Sequence, residues 1–333
     1  MGGRLLGIDF SGSADQWQPK RRKSNVWIAS AEAEDGGLRL DDLRPVQALE
    51  GEGTPFERLV RLLGETRGVA AIDAPFSAPR SHSASAALLW TEAAELAEAG
   101  RPFGRGRDFV EALAPGAGPH GLKLYRACEQ HWREGEGGRA KLNVRSTLWC
   151  GPRGGAAFAV ACMTLLRRHK GPVWPFRPDG EGAMLVEAYP AAQLATWGLK
   201  AVGYNGDKPA AEAARVRILE SLVRDRGLRA SDVHLRLCAG GADALDAVIC
   251  AYAAKAMADG RHPRRLPAVA RSEGWVVVDD PAQAAEPQVR PALREGEPLV
   301  SPTIERRVQR LLAAVEEAAG DAGATPQGRY DQA

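Results

Sequence analysis

Five cysteines in 333 residues (Cys128, Cys150, Cys162, Cys238 and Cys250) are an odd number without a regular framework. That argues against a disulfide scaffold and for free thiols in a reducing compartment. Histidine is also scarce, with six in all and none beside the acidic motifs described below, so a Ser-His-Asp triad has no basis and hydrolysis would have to be metal-driven. No apolar stretch approaches the ~20 residues that span a bilayer, which excludes a membrane span. The N-terminus reaches an acidic residue by position 9 without an apolar signal core, and a cytoplasmic location is expected. Charge of neither sign prevails, with 44 Lys and Arg against 42 Asp and Glu, net +2. Any nucleic-acid surface would therefore be a local patch. No internal repeat is found.

What is present is enough apolar content, 44%, for a sizeable core in one large domain with insertions or two small ones. RLLGID reads as a short apolar strand and VWIASAEAE as a second, joined by the turn-rich FSGSADQWQPKRRKS; LRLDDLRPVQAL is a candidate third. In TPFERLVRLLGET, a Thr-Pro start and helical apolar spacing predict a capped helix. GVAAID follows as a fourth strand, apolar on consecutive positions as in a sheet covered on both faces. Further helices are predicted near AAFAVACMTLLRRH, within KPAAEAARVRILESLVRDRG and at ADALDAVICAYAAKAMADG, with strands at AMLVEAYP and EGWVVV.

Residues 78–155 turn Gly-, Pro- and Arg-rich and read as an insertion into a domain spanning 1–278. From Arg101 to Lys170, 13 Lys and Arg face five acids, an excess of +8. Beyond it a linker is expected over 279–301, an amphipathic helix over 302–319 and a disordered tail over 320–333.

Asp9 ends the first strand, Asp73 the fourth, and Glu187 a later one, each where an apolar run gives way to a loop or proline. In an open α/β sheet, the functional crevice lies at the carboxyl ends of the strands. Asp243 and Asp246 are three apart and share a face if helical. Packing that face over the rim would complete an acidic cage for hard divalent cations, Mg²⁺ or Mn²⁺, suited to phosphodiester hydrolysis by two metals. Three of these acids also have a plain structural account. Asp243 could cap a helix after Gly-Gly, Asp246 could be a first-turn acid favoured by the dipole, and Asp73 a turn residue before Pro75.

GIDFSG, AIDAPFS, VEAYPA, the following Gly-Tyr-Asn-Gly-Asp-Lys, DALDAVICAYAA and EGWV, in this order over residues 4 to 278, resemble the domain of unknown function 429 family of predicted nucleases. The resemblance implies an RNase H-like α/β fold, a mixed sheet flanked by helices, with the basic insertion after the fourth strand. The acids are also similar in placement to those of RuvC-type Holliday-junction resolvases. That likeness assigns metal binding to Asp9, Asp73, Asp243 and Asp246, with Asp73 standing where a Glu is typical. Glu187 matches only the first family, as a fifth ligand or a residue that orients water. Lys208 matches a lysine of the family pattern and would contact a phosphate, unless it is a solvated lysine before a helix. The implied partner is nucleic acid, DNA or RNA, and cleavage of a Holliday junction would require a homodimer presenting two sites.

Ser11 and Arg145 join Lys208 as candidate substrate contacts, and Tyr125, Trp132 and Trp149 are available for base stacking or for the core. Arg215 and Arg217 read as helix-surface residues. GPRGGAAFAV is a glycine-rich helix start without the Lys-Ser/Thr of a P-loop, and Cys128-x-x-His131 has half a soft-metal site without a second pair. Two rival readings remain at this point: an actin-like or sugar-kinase-type phosphotransferase, in which Asp9-Phe-Ser-Gly-Ser13 would be a phosphate loop, and a non-catalytic nucleic-acid or metal-binding scaffold.

Overall fold

The computed structural model describes residues 3–83, 85–135, 141–152, 154–262 and 266–280. The strands are β1 (Arg4–Asp9), β2 (Trp27–Glu34), β3 (Gly37–Pro45), β4 (Gly68–Asp73), β5 (Met184–Glu187) and β6 (Leu228–Arg229). They form one mixed sheet in the order β5-β4-β1-β2-β3-β6. β2 runs antiparallel to β1 and β3, while β4 is parallel to β1, β5 to β4, and β6 to β3.

Side chains alternate across this sheet, and both faces are buried. Leu5 of β1 and Val69 and Ala71 of β4 belong to one core, whereas Leu6, Ile8, Ala70 and Ile72 belong to the other. The first face is covered by α6 (Pro190–Thr196), α7 (Pro209–Asp225), α8 (Asp232–Gly240) and α9 (Ala242–Ala258). Every α9 residue from Ala244 to Met257 is buried, as in a helix that is apolar all round. The second face is covered by α1 (Pro55–Glu65), α2 (Ala86–Glu95), α3 (Gly106–Leu113) and α5 (Ala156–Arg168). α1 starts as its sequence dictates: Glu57 N donates to Thr54 Oγ1 (3.3 Å), Thr54 N donates back to Glu57 Oε2 (2.8 Å), and Pro55 occupies the first turn.

The segment 78–155 carries α2, α3 and α4 (Ala127–Glu134) and does not stand apart from the sheet. α2 and α3 pack on α5, and Leu89, Trp90, Ala93 and Phe109 join the second core. A short α10 (Ala270–Glu273) closes the described chain.

EGWVVV, expected as a strand, does not join the ladder. Val277 N donates to Glu187 O (2.8 Å), but the edge of β5 is already taken by Pro172–Trp174, through Leu185 N to Pro172 O and Trp174 N to Leu185 O, both 2.9 Å. Past Asp280, the expected linker, the 302–319 helix and the 320–333 tail lie outside the described residues. Among the described residues no single helix is long and apolar enough to cross a membrane.

Candidate metal centre

β1 and β4 are parallel neighbours in register, with Asp9 opposite Asp73. Adjacent strands lie about 4.8 Å apart, so the two carboxylates leave the sheet side by side. Alternation puts Asp9 on the side of Leu5 and Gly7, and Asp73 on the side of Val69 and Ala71, which is the face covered by α9. α9 lies unusually close there. A Cβ on Gly7 would stand 2.0 Å from Ala247 O and 2.3 Å from Ala251 N, so only glycine lets the helix rest on the strand. That contact holds Asp246, the residue before Ala247, over the strand end that carries Asp9.

The plain accounts of the helical acids do not fit this geometry. The N-cap of α9 is Gly241, and Asp243 is a first-turn residue rather than the cap. Asp246 lies beyond the first turn, is buried, and accepts a hydrogen bond from Tyr204 Oη (2.9 Å). Asp9 is buried as well, and among the described residues neither its carboxylate nor that of Asp73 accepts a hydrogen bond.

Electrostatics follow from this crowding. Burial drives Asp9 well above the usual carboxylate range, the charges of Asp246, Asp73 and Asp243 push it further, and Arg145 opposes them. Burial raises Asp73 to about 7, with Arg145 pulling down and Glu187 pushing up. Asp246 is raised well above its ordinary value by burial and by Asp73, against the Tyr204 hydrogen bond, and Asp243 adds to the rise. Asp243 is raised by burial, with Lys23 and Arg215 working against it. Buried carboxylates that repel one another are relieved by a proton or by a cation.

Among the described residues no three His, Cys, Asp or Glu side chains stand grouped as a ready-made metal cage. Mg²⁺ does not demand one, since it keeps several waters and is held by one or two carboxylates together with substrate phosphates. Asp9 with Asp73, and Asp9 with Asp246, are all-oxygen pairs of that kind, so the donor set fits a hard divalent ion.

Glu187 ends β5 beside Ile72, but its carboxylate is committed. Arg126 Nη1 donates to Oε2 (2.8 Å) and Nη2 to Oε1 (2.5 Å), and Phe76 N also donates to Oε2 (3.1 Å). Arg126, buried at the N-cap of α4, further donates from Nε to Glu129 Oε1 (2.8 Å) and from Nη1 to Glu273 O (3.1 Å). Glu187 thus ties the insertion to the turn that follows Asp73.

Of the other candidates, Ser11 is buried and its Oγ accepts from Ser13 N (3.2 Å), shaping the turn after β1. Arg145 is exposed over the Phe158 ring, 4.8 Å from its centroid, with its charge felt by Asp9 and Asp73. Lys208 is exposed at the N-cap of α7 and makes no side-chain cap bond. Trp132 is buried, whereas Tyr125 and Trp149 are half-buried. Cys128 is a buried free thiol.

Arg217 is on the surface as expected, but Arg215 is buried, a correction to its reading as a surface residue. Its Nε donates to Ala239 O (2.6 Å) and its Nη1 to Tyr204 O (2.6 Å) and Gly206 O (2.9 Å). It fixes the loop whose tyrosine holds Asp246. Sequence reasoning passed over Arg126 and Tyr204. Tyr204 lies inside the Gly-Tyr-Asn-Gly-Asp-Lys motif, where attention fell on the charged Lys208.

The family described as "Protein of unknown function (DUF429)" matches residues 7–272. The chain belongs to it. For this DUF429 protein, the match runs from Gly7, the glycine under α9, into α10, and it includes all four aspartates. No curated protein and no solved structure matches the chain.

Proposed function

We propose that this DUF429 protein is a metal-dependent nuclease of RNase H-like architecture that hydrolyses nucleic-acid phosphodiester bonds. The observation that carries the reading is the in-register pair Asp9–Asp73 at the ends of two parallel strands, with Asp246 laid over it by a helix seated on Gly7. An acid after the first strand, another after the fourth and an Asp-x-x-Asp helix repeat the order in which RuvC-type resolvases place their ligands. Asp9 and Asp73, with Asp246 and Asp243 from α9, are the residues that would hold Mg²⁺ or Mn²⁺. When bound, a pair of such ions supplies an activated water and offsets the charge that develops on the phosphate and the leaving oxygen.

The protein's own groups do the positioning. Tyr204, anchored by Arg215, orients the Asp246 carboxylate. The Arg126–Glu187 pair holds the turn through Phe76 N. Arg145 offers a fixed positive charge to a phosphate beside the acids. A phosphotransferase reading of the Ser11–Ser13 loop leaves Asp246 without a part, whereas the nuclease reading uses it.

The deciding experiment is Mg²⁺- and Mn²⁺-dependent cleavage of labelled single-stranded, double-stranded and branched DNA and RNA, wild type against Asp246→Asn and Asp9→Asn. Cleavage by wild type that both variants lose is the expected result. Cleavage that survives Asp9→Asn would sink the assignment, and Mn²⁺ binding without any cleavage would favour a scaffold.

A further inference from the structure

The most concentrated positive charge at the acidic end of the sheet is Lys20-Arg21-Arg22-Lys23, in the connection between β1 and β2. All four side chains are exposed. The connection leaves the sheet at Asp9 and returns at Trp27, the residue opposite Asp9 in the β1–β2 ladder, so the cations stand at the strand end that carries the acids. Among the described residues Lys20, Arg21 and Arg22 have no acidic partner. Lys23 Nζ lies 3.4 Å from Asp207 Oδ2, with both side chains more than four-fifths exposed, a pairing weak enough to exchange for another anion. That contact places Lys23 beside the 204–208 loop, whose Tyr204 holds Asp246.

The turn is mounted on a rigid stem. Trp17 is buried among Phe10, Phe56 and Phe103, with ring centroids 5.1, 5.0 and 6.4 Å away, and its Nε1 donates to Ser11 O (2.9 Å). Gln47 Nε2 donates to Gln16 O (2.7 Å), and Asn25 N donates to Gln16 Oε1 (3.2 Å). Within the turn, Arg21 N donates to Gln18 O and Arg21 Nε to Lys23 O, both 3.1 Å. The backbone that carries the four cations is thus anchored, and Arg21 is tied to it, so the turn itself need not be ordered when an anion docks. They add nothing to the core, and in a chain with a net charge of only +2 their clustering at this edge is a local field rather than a general one.

We infer that the Lys20–Lys23 turn is the arm that grips the phosphate backbone of a nucleic-acid strand as it passes Asp9, Asp73 and Asp246. The inference rests on the nuclease reading of that site, and it names the surface that overcomes repulsion between a polyanion and the acids. The arm approaches from the β2 side, and Arg145 from the insertion.

The test is binding of labelled single- and double-stranded DNA and RNA, without divalent metal so that no cleavage intervenes, over a series of salt concentrations. Full-length wild type is compared with the triple variant Lys20→Gln, Arg21→Gln, Arg22→Gln, whose thermal midpoint should be unchanged because the three side chains are exposed. Each lost phosphate contact lowers the slope of log affinity against log salt by about 0.7 to 0.9, so the variant should lose roughly 2 to 3 in slope and at least about tenfold in affinity at moderate salt. Equal slope and affinity in the two proteins would overturn the arm while leaving the nuclease reading intact if wild type still cleaves. Loss of binding to phosphatidylserine vesicles with nucleic-acid binding unchanged would also overturn it, in favour of a membrane-facing patch. No binding of any nucleic acid by wild type would overturn the arm, while the nuclease reading stands or falls separately on the metal-dependent cleavage assay.

Discussion

Gly7→Ala isolates the contact that brings helix and sheet acids together. The added methyl would meet Ala247 O at 2.0 Å and Ala251 N at 2.3 Å, against an ordinary contact of 3.4 Å or more, so α9 must withdraw by about 1.4 Å (3.4 less 2.0). β1 cannot retreat instead, because β2 and β4 bond it on both sides. Overpacking a core costs about 1–3 kcal/mol, and an obstacle made of helix backbone puts this site at the upper end. The same withdrawal carries Asp246 away from Asp9, and a misplacement of about 1 Å can cost about a hundredfold in rate. Urea unfolding should therefore show a loss of about 3 kcal/mol, and calorimetry a weaker Mn²⁺ affinity, with Mg²⁺-dependent cleavage falling further than either. Gly64→Ala is the control: a Cβ there meets nothing within 4 Å at the last residue but one of α1, and it should raise stability by at most about 0.5–1 kcal/mol. If Gly7→Ala unfolds at the wild-type urea concentration and binds Mn²⁺ as tightly, the account of α9 as the element that assembles the site is wrong.

Arg126→Met leaves Glu187 and Glu129 buried without their cation, and should lower stability by about 3–5 kcal/mol in chemical denaturation. Pairing it with Glu187→Gln should recover part of that loss, and no recovery would show that the ion pair is not what the arginine provides. His169 supplies a pH test. It is buried with Nε2–H donating to Ala183 O (2.9 Å), and burial lowers its pKa from 6.5 to about 4, with Arg177 adding to the fall. The unfolded chain therefore binds a proton that the folded chain refuses in this window, so His169 costs stability as pH falls from about 6.5 to about 4 and costs none above it. His169→Gln keeps an N–H donor and should flatten that part of the urea-midpoint profile. An unchanged acid limb would refute the role.

Where a sequence pattern rests on local physics, it was readable. Thr54-Pro55 before an amphipathic run became a capped helix, and consecutive apolar residues in GVAAID became a strand buried on both faces. The aspartates at strand ends were legible for the same reason, since an acid closing an apolar run is conspicuous. What could not be read was pairing across the chain. Glu187 looks like a ligand in sequence because nothing there shows that Arg126, 61 residues away, holds both its oxygens. Arg215 has the spacing of a surface arginine, and only the arrival of the 204–206 loop and the end of α8 buries it. EGWVVV has every β-forming residue a strand needs, yet a strand also needs a free edge, and that edge was occupied by residues 172–174.

The sheet's wiring also sets when the site can exist during synthesis. β1, β2 and β3 are hairpin neighbours completed within the first 45 residues, and such local contacts form early as the chain emerges. Asp73 joins Asp9 soon afterwards, but β5 docks on β4 only after more than a hundred intervening residues, and Asp246 arrives later still. Until then the nascent chain carries two adjacent acids and a basic arm without the helix that completes them. On the nuclease reading proposed above, a chain that has not yet reached α9 lacks Asp243 and Asp246, so the capacity to cut would be the last property acquired in synthesis.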